Sequence, residues 1–276
     1  MRSTILSVLF LVSVVACGSH SGGSADAPGT GSDNDATTSG TGDAPFSGTC
    51  TPGGAQCSDC IDNDGDGLID GFDPECTGPL DRSEASFATG IPGDNIDPVM
   101  QDCFFDGNSG AGNDGCNVHV CCLLGATTVA ACPIGANRYN PADCPPPIGT
   151  MPLTQQCIDT CGKLAPPGCD CFGCCTICDP TTSQCYDIDI NPADSPNCNG
   201  TNIGDPAACL RCTKSTTCGN STCGGTTCIL CPGQTTLPPG CSTSTCPAGL
   251  TACGGANPTC ATGTYCSNGC CIGTLQ

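Results

Sequence analysis

Cys57-Ser58-Asp59-Cys60-Ile61-Asp62-Asn63-Asp64-Gly65-Asp66-Gly67-Leu68-Ile69-Asp70-Gly71-Phe72-Asp73-Pro74-Glu75-Cys76 sets the reading of the whole chain. It places an Asp ladder between cysteines. A hard divalent ion such as calcium takes six to eight oxygens, and a twelve-residue loop supplies them from positions 1, 3, 5, 7, 9 and 12. Counting from Asp62, those positions fall on Asp62, Asp64, Asp66, Leu68, Asp70 and Asp73. Leu68 offers only its backbone carbonyl, which is all that its position requires. Gly67 stands at position 6, where the chain turns sharply and a Cβ is expected to clash. Moving the register by two residues puts Leu68 where a carboxylate is needed, so one alignment is favoured. Crowded carboxylates repel one another, which disfavours an ordered loop without a cation. The bland alternative is an acidic, turn-rich surface loop.

The flanks differ from those of an EF-hand. Asp73 closes the loop where a longer Glu is usual, Pro74 follows at once, and Cys60 and Cys76 bracket the segment. Long flanking helices are therefore not expected. Over roughly residues 57–80 the pattern resembles the calcium loops of thrombospondin type 3 repeats, or half of a dockerin. The resemblance implies a short Asp-rich loop held by cysteines, with Ca2+ as its ion. A lone loop of this kind should bind at about 10⁻⁴–10⁻³ M.

The start of the chain bears on compartment. Met1-Arg2-Ser3-Thr4 is a short positive segment, and the apolar run from Ile5 to Ala16 has signal-peptide length rather than membrane-spanning length. It ends Val14-Val15-Ala16-Cys17-Gly18, which resembles a bacterial lipobox, with cleavage before an acylated Cys17. Ordinary cleavage after Ala16 is the alternative, and the product would then be secreted. Parity supports acylation: of 33 cysteines, removing Cys17 leaves an even number for pairing. Gly18 in place of Asp implies, by resemblance to Gram-negative sorting, the outer membrane and cell surface. Residues 18–49 are Gly, Ser, Thr, Asp, Ala and Pro with almost no bulky apolar side chain, and read as a flexible linker spanning roughly 30 Å.

Composition excludes several classes. The formal net charge is −20, with six Lys and Arg against 26 Asp and Glu, so nucleic acid is not an expected partner. The chain has no Trp, 39 Gly and 24 Pro, which leaves little for a large core or long elements. Disulfide staples are expected to do what apolar burial cannot. The expected fold class is a set of small disulfide-rich modules, loop-rich, with short β-hairpins, one or two short helices and little hydrophobic core.

The expected organisation is a lipoprotein signal peptide over 1–16, a lipid-anchored linker over 17–49, a calcium-loop Cys module over 50–90, a Cys-rich module over 91–190 and a C-terminal Cys-rich module over 191–276. Cysteine counts of four, fourteen and fourteen in the last three would let each close on itself. After Asp205 there is no Asp or Glu, only Arg211 and Lys214, which also suggests modules of different character.

Within these modules, 153–163 is the best helix candidate, with Cys157 and Cys161 one turn apart on one face. Asn268-Gly269 marks a tight hairpin. The adjacent pairs Cys121/Cys122, Cys174/Cys175 and Cys270/Cys271 should each reach two separate partners, because a ring between neighbours is strained. CxxC pairs such as Cys171/Cys174 and Cys228/Cys231 read as disulfides rather than zinc sites in an exported chain. Asp106, Asn108, Asn113 and Asp114 could form a second oxygen-rich loop, although turn chemistry accounts for them too. Gly107-Asn108-Ser109-Gly110-Ala111 lacks the second Gly of a nucleophile elbow. His119 is the one histidine outside the linker, with no second to complete a base or a metal set, so Ser/His/Asp and Cys/His catalysis have little support.

As a whole the chain resembles the cysteine-rich surface lipoproteins of Gram-negative bacteria that bear Asp loops. That resemblance implies a non-enzymatic calcium-binding protein, anchored to the membrane through Cys17, with a structural or interaction role toward a protein or polysaccharide partner. A secreted binding module, such as a protease inhibitor or adhesin, is the alternative.

Overall fold

Where Gly and Pro punctuate a chain this often, elements are cut short and loops are tied by sulfur. The computed structural model describes residues 51–91, 97–108, 114–135, 137–223, 227–254 and 259–274. The signal, the linker, Cys17, Cys50, Ser109–Ala111 and Asn113 lie outside the described residues. The described residues all fall within one compact unit.

Three small antiparallel sheets are present among the described residues. Strand β1 (Met100–Gln101) pairs with β2 (Val118–His119), and β2 runs straight into the one-turn helix α1 (Val120–Leu123). Helix α2 covers Gln155–Cys161, two residues shorter at each end than 153–163. Thr154 caps it by accepting from the Cys157 amide at 3.1 Å. Strands β3 (Cys174–Cys178) and β4 (Cys185–Asp189) form a hairpin in which Cys174 faces Asp189 and Cys178 faces Cys185. Strand β7 (Cys270–Gly273) is flanked by β5 (Thr251–Ala252) and β6 (Thr264–Ser267). The β6–β7 turn is Asn268-Gly269, both with positive φ (48° and 75°), as the sequence predicts.

The core is one cluster in which half-cystines lie among a few large apolar side chains. Phe87, Phe104, Phe172, Ile177, Ile188, Ile190 and Ile203 are buried there beside Cys103, Cys161, Cys169, Cys171 and Cys175. Fifteen disulfides are formed between described cysteines. Cys60 is also disulfide-bonded. The adjacent cysteines diverge as expected: Cys121 bonds Cys132 and Cys122 bonds Cys144. Likewise Cys174 bonds Cys212 and Cys175 bonds Cys169, while Cys270 bonds Cys246 and Cys271 bonds Cys260.

The expectation that residues 103–185 and 198–271 each close on themselves is not met. Cys171–Cys218 and Cys174–Cys212 cross that joint. The reason is β3–β4: its hairpin lies at the joint, and the following loop folds back over it, with Asp189 donating its amide to Leu210 O at 2.9 Å. The bridges instead close within 57–76, 103–161, 169–218, 223–241 and 246–271. The two cations of the acid-free end also return to this hairpin. Arg211 stacks on the Tyr186 ring at 4.2 Å, and Lys214 pairs with Asp187 at 3.4 Å.

Candidate metal centre

The loop over 62–73 is shaped by its own aspartates. Asp62 accepts from the amides of Gly65 (2.6 Å) and Gly67 (3.1 Å). Asp64 accepts from Asp66 N at 3.0 Å, and Asp66 from Leu68 N at 2.7 Å. Side chains that cap their own turn in this way hold the backbone in tight curls. Gly65 and Gly67 have φ of 84° and 96°, and a Cβ on either would meet nothing within 4 Å. The glycine at position 6 is thus required by backbone conformation, and the expected clash is absent. The result is that Asp62, Asp64 and Asp66 each bring a carboxylate oxygen within 4.8 Å of the others, on the exposed side of the loop.

Asp70 and Asp73 are placed differently. Asp70 is buried, with φ +49°, and both its carboxylate oxygens lie 3.2 Å from the Cys60 amide. It ties the end of the loop to its beginning. Asp73 lies in a deeper cluster, within 4.8 Å of Glu84 and of the Cys76 sulfur. That sulfur is bonded to Cys57 and offers no thiolate. Asp73 Oδ1 accepts from Glu75 N at 2.8 Å, whereas its buried Oδ2 has no hydrogen-bond partner.

Two glutamates, the only ones in the chain, complete the site. Glu84 is fully buried and brackets the loop, accepting from Asn63 N at 2.6 Å and from Asp70 N at 2.8 Å. Burial raises its pKa and these two amides oppose the rise. Glu75 faces the ladder: burial raises its pKa, and the charges of Asp66 and Asp64 raise it further. Burial, with the negative charges of Glu75 and Asp66 and a side-chain hydrogen bond to Glu75, pushes Asp73 up to about 9. No positive side chain contributes to either shift. A buried, hydrogen-bond-deficient carboxylate beside three exposed ones is a site short of positive charge.

Neither Glu75 nor Glu84 was among the ligands expected from the sequence, although they are its only glutamates. That rarity was the available signal: in an Asp-rich, turn-rich chain, the longer side chain is kept where a carboxylate must reach across to another segment. Leu68 takes its place between Asp66 and Asp70, its amide held by Asp66.

The loop is packed against the far end of the chain. Tyr265 Oη donates to Cys57 O at 2.7 Å, and Ser267 lies against Thr77 O at 3.5 Å. A cleft of about 540 Å3 opens beside residues 71–74, with Leu230, Ser244 and Asn268 on its other wall.

His119 has a structural role. Its Nδ1 accepts from the Cys121 amide at 3.1 Å, so Nε2 carries the proton and donates to Asn137 O at 3.2 Å. Cys121 and Cys132, which lie close enough to form a metal set with it, are bonded to each other. Among the described residues no helix is long and apolar enough to cross a membrane. The disulfide density marks a Cys-rich protein of an oxidising, extracellular environment. No protein-family model, curated protein or solved structure matches the chain.

Proposed function

We propose that the chain is a non-enzymatic, calcium-binding surface lipoprotein, held to the outer membrane by lipid on Cys17. In this reading its disulfide-stapled body has a structural or interaction role. The observation that supports calcium most directly is the convergence of Asp62, Asp64 and Asp66 within 4.8 Å, beside a buried Asp73 whose Oδ2 lacks a partner. The proposed ligands are the carboxylates of Asp62, Asp64, Asp66 and Asp73 and the carbonyl of Leu68, with Glu75 added from beyond the loop. Asp70 and Glu84 serve as positioning residues that fix the loop's two ends. An interaction role, as in an adhesin, is favoured over a purely structural one by the cleft that opens against residues 71–74.

Calorimetric titration of the full chain tests the ion. Calcium is expected to bind with a dissociation constant of about 10⁻⁴–10⁻³ M, and the D62N/D64N/D66N variant should lose that heat. Equal heats from both proteins would refute the site. Intact-mass analysis of protein extracted from membranes, before and after reduction, tests the anchor. An acylated N-terminal Cys17 is expected; an unprocessed Met1 with reduced thiols would overturn both export and anchoring.

A further inference from the structure

A second acidic cluster lies well away in sequence from the loop. Asp106 ends the single 3-10 turn over Phe104–Asp106, and Asp114 precedes Cys116. Both are buried, at 6% and 1% exposure, and they approach within 4.8 Å of one another. Each has one oxygen committed locally: Asp106 Oδ1 accepts from Asn108 N at 3.1 Å, and Asp114 Oδ1 from Cys116 N at 2.6 Å. Asp114 Oδ2 is buried and has no hydrogen-bond partner. Neither residue forms an ion pair among the described residues.

Sulfur builds the pair. Cys103, three residues before Asp106, bonds Cys161, and Cys116, two residues after Asp114, bonds Cys157. Cys157 and Cys161 are one turn apart on α2. One helical turn therefore pins both limbs, and the two carboxylates cannot move apart to relieve their repulsion. The Cys103 sulfur also lies within 4.8 Å of both, but as a disulfide it is no ligand, so the donor set is oxygen. Two fixed, desolvated carboxylates facing each other need a shared proton or a cation between them. A proton shared between the two side chains is the competing occupant, and the ion count below decides between them.

We infer that Asp106 and Asp114 form a second binding site for a hard divalent cation of the calcium class, independent of the 62–75 loop. Its completion by water and backbone oxygen is ordinary for an ion of this kind.

Native mass spectrometry of the full chain in calcium tests this by counting ions. Two are expected on the wild type, one on D106N/D114N and one on D62N/D66N. Asn preserves shape, and its Oδ1 can still accept from Cys116 N. A count unchanged by D106N/D114N would overturn the site. So would a wild type that binds a single ion removed by D62N/D66N. If instead D62N/D66N keeps every ion and D106N/D114N loses one, the loop reading fails and this one stands. Should the double variant not fold, manganese added to the wild type decides: the amide resonances of Asn108 and Cys116 should broaden. Their persistence at full manganese occupancy of the loop would overturn the inference.

Discussion

A Cβ built on Gly71 would lie 1.7 Å from the carbonyl oxygen of Cys266, so the turn that ends the acidic loop and strand β6 touch backbone to backbone. Gly71 is not in a positive-φ conformation, so the requirement there is space alone. G71A must push β6 away, at a cost of about 1–3 kcal/mol or more. The expected readout is a lower thermal midpoint, with faster proteolysis of the 246–271 region. G67A is the contrast. It has room, so its penalty comes from forcing φ 96° on alanine, about 1 kcal/mol, and is expected mainly as weaker calcium binding.

Tyr265 stitches the same seam. Its hydroxyl meets Cys57 O at 2.7 Å in a buried setting. Y265F keeps the ring and leaves a buried carbonyl unsatisfied, with an expected loss of about 1–3 kcal/mol by denaturant unfolding. Calcium affinity should be little changed, because Tyr265 touches the bracket of the loop and not the Asp ladder.

Glu84 offers a way to separate ligands from supports. Both its oxygens accept amides, from Asn63 and Asp70. E84Q would set an NH2 against one of those donors. Calcium affinity is expected to fall about 10–100-fold, the range for residues that orient ligands, and stability should fall with or without calcium. D66N should weaken calcium binding while leaving the calcium-free stability nearly unchanged. Identical behaviour of the two variants would remove the distinction.

Asp170 and Asp189 set a pH dependence. Burial raises Asp170 to about 6 and Asp189 to about 7, from 3.8. The native state therefore holds protons that the unfolded chain has released between pH 3.8 and those values. Bound protons favour the native state in that window, so stability falls as pH rises through it, by up to about 1.4 kcal/mol per pH unit for each group. In chelator, the thermal midpoint is expected to drop from pH 4 to about pH 7 as Asp170 and Asp189 ionise, and further toward pH 9 as Asp73 does. D189N should flatten that curve near pH 7, since it removes the buried carboxyl that titrates there.

The thiol count follows from the bridges. Every described cysteine is bonded. Cys17 and Cys50 lie outside the described residues. Denaturing alkylation without reduction should add no label to membrane-extracted protein if Cys17 is acylated. A single label would place a free thiol on the exported chain.

Much of this was legible in the residues. Asn268-Gly269 gave its hairpin and Cys157/Cys161 their shared helical face, because both signals are local and independent of distant contacts. The three adjacent cysteine pairs diverged because ring strain decides that without tertiary information. The Asp ladder at 62, 64 and 66 converged because each aspartate caps its own turn. Asp70 and Asp73 could not be placed by spacing, since their positions depend on Cys60 and Glu84 in other segments. Parity failed at 171–218 and 174–212 for the same reason: an even count says that cysteines can pair, and the β3–β4 hairpin decides with which.

The bridges also have an order. The longest separation among the described bridges is 58 residues, between Cys103 and Cys161, and none of them joins one of the five closed sets to another. A chain emerging from an export pore into an oxidant could therefore complete each set as soon as its last cysteine cleared the membrane. Nothing near the N-terminus would wait for sulfur still inside the cell, apart from the seam where Tyr265 arrives last and locks the acidic loop beneath it.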